Sequence, residues 1–267
     1  MYKLTNTMKN SFYLFLAVTM FACSSDSSDT NDDNSNNYKL VETYQYSYVN
    51  NDPNSDNFGN LYEMTASYSY NGNKLLNITI SNNNDSGIVN YTYNDNNKIS
   101  GVYSAGGDVG EAEYDNQGRL VTWTYTDVDD NPIGNPSISV ANFVYNQDGS
   151  VVQTWQGGQS YTYLFDQNGN ITTIINPDEW DGNTERNFTY DNKNNPFKNI
   201  SGNGFFINIW FQGLNLYPSI NNNIITAENE NNIFFYTYDE DDYPISFNSP
   251  NGFDYKSNIQ VNITYTN

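Results

Sequence analysis

One short phrase recurs seven times: an aromatic residue, Asp or Asn, two polar residues, then Gly, Asn or Asp, with an aliphatic residue or Phe two or three places on. The copies begin at Tyr70, Tyr93, Tyr114, Tyr145, Phe165, Tyr190 and Tyr238. Tyr114-Asp115-Asn116-Gln117-Gly118-Arg119-Leu120 is representative. The carboxylate or amide after the aromatic can accept a hydrogen bond from backbone two residues on, which starts a turn. The fifth position is Asn97, Gly118, Gly149, Gly169, Asn194 or Asp242 in six copies. Those residue types tolerate positive φ. The phrase therefore predicts a type I turn closed by a left-handed residue and a bulge, returning the chain antiparallel. The Tyr70 copy is one residue shorter and carries Asn71-Gly72, the pair of a tight hairpin. The Tyr190 copy is the weakest, because Pro196 lacks a ladder donor.

The flanks agree. Tyr44-Gln45-Tyr46-Ser47-Tyr48, Tyr91-Thr92-Tyr93, Tyr161-Thr162-Tyr163 and Tyr236-Thr237-Tyr238 alternate aromatic with polar residues, while Ile171-Thr172-Thr173-Ile174-Ile175 is β-branched. This is a period of two, half-buried on one face, and no long stretch has a 3.6-residue apolar period. Successive copies are 23, 21, 31, 20, 25 and 48 residues apart. An interval of 20–25 residues holds two strands and two turns. The 31-residue interval carries an insertion at 126–136, and the 48-residue interval reads as about two units, one without its signature. Within it, residues 204–213 are part of the most hydrophobic stretch after the leader, a candidate cap or plug.

The expected fold is all-β: an antiparallel meander of repeated β-hairpins, about fourteen to sixteen strands by the two-per-unit count, curled by twist and burial into a soluble barrel-like or half-barrel sheet. A membrane-spanning barrel is disfavoured by short strands, polar residues at alternate positions and a mean hydropathy of −0.72.

Residues 1–22 read as a secretory signal: Lys3 and Lys9 precede an apolar run from Phe12 to Ala22 that is too short to span a bilayer. With Ala22 before Cys23, this segment resembles a bacterial lipoprotein signal, which implies acylation of Cys23 and attachment to outer-membrane lipid. Met20 and Phe21 depart from the common pattern, and a cleaved signal with an incidental cysteine is the plain alternative. Residues 23–37 contain no apolar side chain after Cys23 and are expected to be a disordered tether to a single β-domain at 38–267. The acidic residues behind Cys23 resemble the surface-export signal of Bacteroidetes lipoproteins. Loss of Lys3 and Lys9 with the leader would move the formal net charge from −21 to −23. Such a field excludes nucleic-acid partners and suits cations, neutral glycans or basic proteins.

The Tyr114 phrase also resembles the YD repeat of Rhs-type and teneurin-type shells. Its coverage, about residues 62–247, is similar to YD-repeat-like lipoproteins of Bacteroidetes, among them domains of unknown function described as porin-like in shape. The resemblance implies a curled β-shell at the cell surface and brings no catalytic residue with it. The chain is too short to enclose a cargo as true Rhs shells do.

Histidine is absent and Cys23 is the only cysteine, which removes Ser-His-Asp, Cys-His and imidazole acid–base chemistry. Asp127, Asp129 and Asp130, with Asn131, offer oxygen ligands suited to Ca²⁺, against the plainer reading of a solvated acidic loop. Asp178, Glu179 and Asp181 around Trp180 form a second such loop, where a sugar platform stands against the plainer reading of a loop aromatic packed on its own sheet. The tyrosine rows are better explained by cross-strand packing than by ligand contact. The first expectation is a non-enzymatic, monomeric surface lipoprotein that serves as a scaffold or binding module for an envelope or host protein or glycan. The second is a carbohydrate-binding or glycan-degrading accessory, for which the sequence singles out no carboxylate pair.

Overall fold

The computed structural model describes residues 38–82, 85–128, 136–176, 184–202, 221–227, 232–251 and 256–266. The signal, Cys23, the tether, Asp129, Asp130, the Trp180 loop and residues 204–213 lie outside them.

Among the described residues the regular elements are all strands. They are β1 (Val41–Asn50), β2 (Leu61–Asn71), β3 (Lys74–Asn82), β4 (Ser86–Tyr93), β5 (Ile99–Ser104), β6 (Val109–Tyr114), β7 (Leu120–Asp127), β8 (Ser137–Tyr145) and β9 (Val151–Trp155). They continue with β10 (Ser160–Phe165), β11 (Ile171–Ile175), β12 (Glu185–Tyr190), β13 (Ile224–Ala227), β14 (Asn232–Ile233), β15 (Phe235–Tyr238), β16 (Pro244–Ser249) and β17 (Lys256–Tyr265). Only Phe234 separates β14 from β15, and its amide donates to the Ile225 carbonyl, so the two act as one stave. Each strand pairs antiparallel with its neighbours in sequence, and β1 pairs with both β2 and β17. The pairings therefore make a circuit, a barrel-like sheet in which first and last strands cover each other's edges.

Every copy of the repeated phrase that forms a hairpin joins an even-numbered stave to the next, so these corners gather at one end, here the base. The other connections form the opposite rim. Inward positions carry large side chains: Tyr44, Tyr46, Tyr68, Tyr91, Trp123, Phe143, Tyr161, Tyr163, Phe188 and Phe247 are all buried. Circular rings of about sixteen strands usually enclose water; here bulky inward side chains occupy the interior. Trp123 lies so close to the backbone at Gly110 that a Cβ there would come within 2.1 Å of the indole. Phe197, from the segment after β12, packs on Tyr44 and Tyr68 with ring centroids 6.1 and 5.9 Å away.

Candidate functional site

The base is densely hydrogen-bonded, and its order starts within single turns. In the Tyr114 copy, the Asp115 amide donates to the Arg119 carbonyl and the Gly118 amide to the Asp115 carbonyl, each at 2.9 Å. Asp115 Oδ1 accepts from the amides of Gln117 and Arg119, and Oδ2 from Arg119 Nε at 2.7 Å. Partial burial opposes ionisation of Asp115, but the Arg119 and Gln117 amides and the guanidinium outweigh it and hold the carboxyl below its ordinary range. Asn94, Asp166 and Asp239 accept the same two amides in their own turns. The Tyr145 copy differs: Asp148, not Asn146, accepts from the Ser150 amide.

At the fifth position, Asn97, Gly118, Gly149, Gly169 and Asp242 have φ of 57, 73, 87, 80 and 64°. This left-handed corner lets a type I turn return along a right-twisted sheet. Asn194 departs: among the described residues Asn97, Asp242 and Asn258 are the non-glycine residues with positive φ. Its amide donates instead to the Asp242 carbonyl in the next hairpin.

The Tyr190 copy is nevertheless a hairpin of the same kind, opened by an insertion. Its Asp191 amide donates to the Asn223 carbonyl, Asp191 Oδ1 accepts from the Asn223 amide, and Tyr190 pairs with Ile224 across a bulge. These are the contacts Asp115 makes with Arg119, and Tyr114 with Leu120. Residues 194–222 thus stand where a regular copy has one residue. Taking away the twenty-eight extra residues reduces the 48-residue interval to 20, the interval between Tyr145 and Phe165. The expectation of a second unit without its signature is corrected: among the described residues the interval holds one unit, β13 and the β14–β15 stave, and the ends of an insertion.

The described part of the insertion runs across the base. The Ser201 amide donates to Asn73, Asn199 Nδ2 reaches the Lys39 carbonyl and the Tyr243 hydroxyl, and Asn221 Nδ2 reaches the Asn168 carbonyl. Asp191 Oδ2 accepts from Asn223 Nδ2 and from the Tyr238 hydroxyl, tying the opened turn to the following hairpin.

A second layer of order passes between copies. The tyrosine that opens one phrase donates its hydroxyl to the carbonyl at the exit of the preceding turn: Tyr114 to Ile99, Tyr145 to Leu120 and Tyr190 to Ile171, at 2.6–2.9 Å, and Tyr265, at the end of β17, donates in the same way to Pro244. Tyr70 does the same to Val41. Each of these carbonyls lies beside a bulge, where the strand ladder is interrupted and a side chain can donate in its place. The clasp was missed in the sequence, although its signal is there: a tyrosine at position one and an aliphatic residue at position seven of the preceding copy. Tyr265 also pairs with Val41, and the Thr266 amide donates to the Leu40 carbonyl, so an eighth corner is shared between the two ends of the domain.

Burial pushes the tyrosine hydroxyls up. Tyr48 and Tyr93 are raised to about 12, and Tyr44, Tyr68 and Tyr236 well above their ordinary value, with neighbouring tyrosines adding to the effect on Tyr44, Tyr68 and Tyr236. None is prepared as a base. Asp127 ends β7 at the rim, opposite Ser137. Among the described residues no three Asp, Glu, His or Cys side chains converge as metal ligands would.

No protein-family model and no curated protein matches the chain. Among solved structures it is similar to a porin-like protein from Bacteroides uniformis, with a TM-score of 0.52 and 17% identity over 85% of this chain and 98% of that one. At that identity the likeness extends to the fold alone, an all-β barrel-like sheet.

Proposed function

We propose that the protein is a lipid-anchored, non-enzymatic β-scaffold of the YD-repeat type, displayed on the outer membrane as a binding module and standing in water. One observation carries this reading: the buried inward side chains are aromatic and aliphatic, Trp123, Tyr46 and Tyr163 among them, while Glu63, Glu111, Glu113, Glu185 and many Thr and Ser residues point outward, with apolar residues such as Val144 and Phe235 exposed between them. A membrane barrel has the opposite pattern, with an apolar outer band and a polar lumen. The porin-like neighbour therefore supports the shape and not conduction. The base holds the start of β1, so a tether from Cys23 would turn the base toward the membrane and present the rim outward.

The test is direct. In cells, a clickable palmitate should label the wild-type chain and not Cys23→Ala, which should leave the membrane fraction. Surface protease should cleave the wild-type chain in intact cells, and planar bilayers should show no conductance steps. An unlabelled wild-type chain or regular channel openings would reject the reading.

A carbohydrate-binding role is the second reading. At the rim Tyr48 and Tyr62 are half-buried with ring centroids 5.0 Å apart, and Lys256 lies 5.5 Å over Tyr48. Binding of any polysaccharide by the mature chain on a glycan array, lost in Tyr62→Ala, would favour it; an empty array would remove it.

A further inference from the structure

At the rim, one tyrosine pair is placed unlike those at the base. Tyr48 of β1 lies directly opposite Tyr62 of β2, and opposed residues of an antiparallel pair hold their Cβ atoms about 4.5–5.5 Å apart. Their ring centroids are 5.0 Å apart, with the planes tilted by 41°. Both side chains are half-buried, so each is open in part to solvent. The β1–β2 loop fixes the pair. The Asn50 amide donates to the Asn60 carbonyl at 3.0 Å, the Gly59 amide to the Asn50 carbonyl, and Asn50 Nδ2 to Ser55 Oγ. The hydroxyls lack the duty found at the base, where Tyr70, Tyr114, Tyr145, Tyr190 and Tyr265 each donate to a carbonyl. Among the described residues the Tyr48 hydroxyl has no protein partner, and Tyr62 accepts a long bond from Asn82 Nδ2 at 3.4 Å. Packing alone would be served as well by phenylalanine.

We propose that Tyr48 and Tyr62 form a modification site, at which one-electron oxidation joins them through a Cε–Cε bond into dityrosine. This goes beyond the scaffold reading and rests on neither the lipid anchor nor a glycan ligand. It requires an oxidant at the rim, of the class haem with hydrogen peroxide. The peroxide takes one electron and one proton from each phenol and leaves as two waters. The two phenoxyl radicals combine at Cε, and the hydrogen on each joined Cε moves to the phenoxyl oxygen, so both hydroxyls return and the pair loses two hydrogens in all. Burial holds the Tyr48 hydroxyl protonated up to about 12, so at neutral pH its proton leaves with the electron. Two arguments select this pair. Radicals fixed side by side couple far faster than radicals that must meet by diffusion. Other close pairs are shielded: Tyr46 lies 5.3 Å from Tyr48 but is 2% exposed, and Tyr243 meets Tyr265 edge to face at 5.6 Å with the Tyr265 hydroxyl held by Pro244. The bond would also supply a staple that the composition denies. Cys23 is the only cysteine, so no disulfide forms within the chain. A bridge from β1 to β2 would fasten the strand whose pairing with β17 closes the ring.

The test treats the purified chain with a small haem peptide and hydrogen peroxide and isolates the monomer by size exclusion. The expected product shows dityrosine fluorescence and is lighter than the untreated chain by two hydrogens. Trypsin, followed by cleavage before aspartate, separates residues 40–51 from 56–74 unless the two are joined. Fragmentation of the joined peptide should place the bond at Tyr48 and Tyr62. The linked monomer should melt ~5 °C or more above the unlinked one, because the bridge constrains the unfolded chain. Tyr48→Phe and Tyr62→Phe should each abolish the joined peptide, with unchanged thermal transitions before oxidation verifying the fold of both variants. Tyr38→Phe, at a ring 40% exposed, should leave the joined peptide in place. An oxidised monomer without this peptide overturns the inference. So does a link that persists in Tyr62→Phe, or one formed mainly between other tyrosines. A linked monomer that melts no higher removes the staple.

Discussion

The third and sixth copies of the repeat make the same hairpin from different lengths of chain. In the third, Asp115 collects the amides of Gln117 and Arg119 from within its own seven residues. In the sixth, Asp191 collects Lys193 from its own turn and Asn223 from thirty-two residues away. The local phrase is therefore a set of acceptors more than a loop of fixed length, and a turn can be opened without loss of its strand register. Entropy explains the extra bonding seen there. Closing a longer loop costs more, though only slowly with length, and the sixth copy compensates with Asn223 Nδ2 and the Tyr238 hydroxyl on the same carboxylate.

Alkali should have the largest effect and should fall on both copies together. Unfolded tyrosines ionise near 10, whereas the buried ones here are raised, Tyr48 and Tyr93 to about 12. Between those values the unfolded state releases protons that the folded state keeps, so stability is complete below pH 10 and falls as pH rises above it. Circular dichroism and tyrosinate absorbance should change in one transition. Two separate transitions would divide the regular and interrupted regions into independent units.

Removing each turn carboxylate comes next. Asp191→Ala leaves four donors without their acceptor and should cost about 3 kcal/mol, against about 1.5 kcal/mol for Asp115→Ala, by urea denaturation. Equal losses would mean that Asp191 carries no extra duty. At the corner, Gly118→Val should cost about 2 kcal/mol because a side chain is strained at φ 73°. Gln117→Val should cost clearly less, and Asn194→Val should also fall below Gly118→Val, since Asn194 has left the left-handed region.

The smallest effects concern the clasp. Tyr145→Phe should cost about 1 kcal/mol, the net worth of a hydroxyl donated to the Leu120 carbonyl. The fifth copy begins with phenylalanine, so Phe165→Tyr should restore a donor toward the Val151 carbonyl and raise stability by up to about 1 kcal/mol. Loss of stability in that variant would show that the Phe165 environment differs from the Tyr145 one.

Much of this fold was legible locally. The Gly118, Gly149 and Gly169 corners and the alternation of Tyr161-Thr162-Tyr163 depend on neighbours within a few residues, where sequence and conformation are tightly coupled. The interval from Tyr190 to Tyr238 was misread, because no feature near Lys193 shows that Asn223 completes the turn. Asn194 was misread for the same reason: the residue type permits positive φ, but the backbone takes it only when the chain must reverse at once. The clasps were hidden by distance, with Tyr145 and Leu120 twenty-five residues apart.

By itself the sequence determined that this chain is a succession of antiparallel hairpins with aromatic residues on one face, because turn chemistry and a period of two are short-range constraints. Only the tertiary structure decided that the sheet closes through a corner shared by Leu40-Val41 and Tyr265-Thr266 and that the sixth turn is opened across the base. Those features arise from hydrogen bonds and adjacencies between residues far apart in the chain, which local preference leaves free.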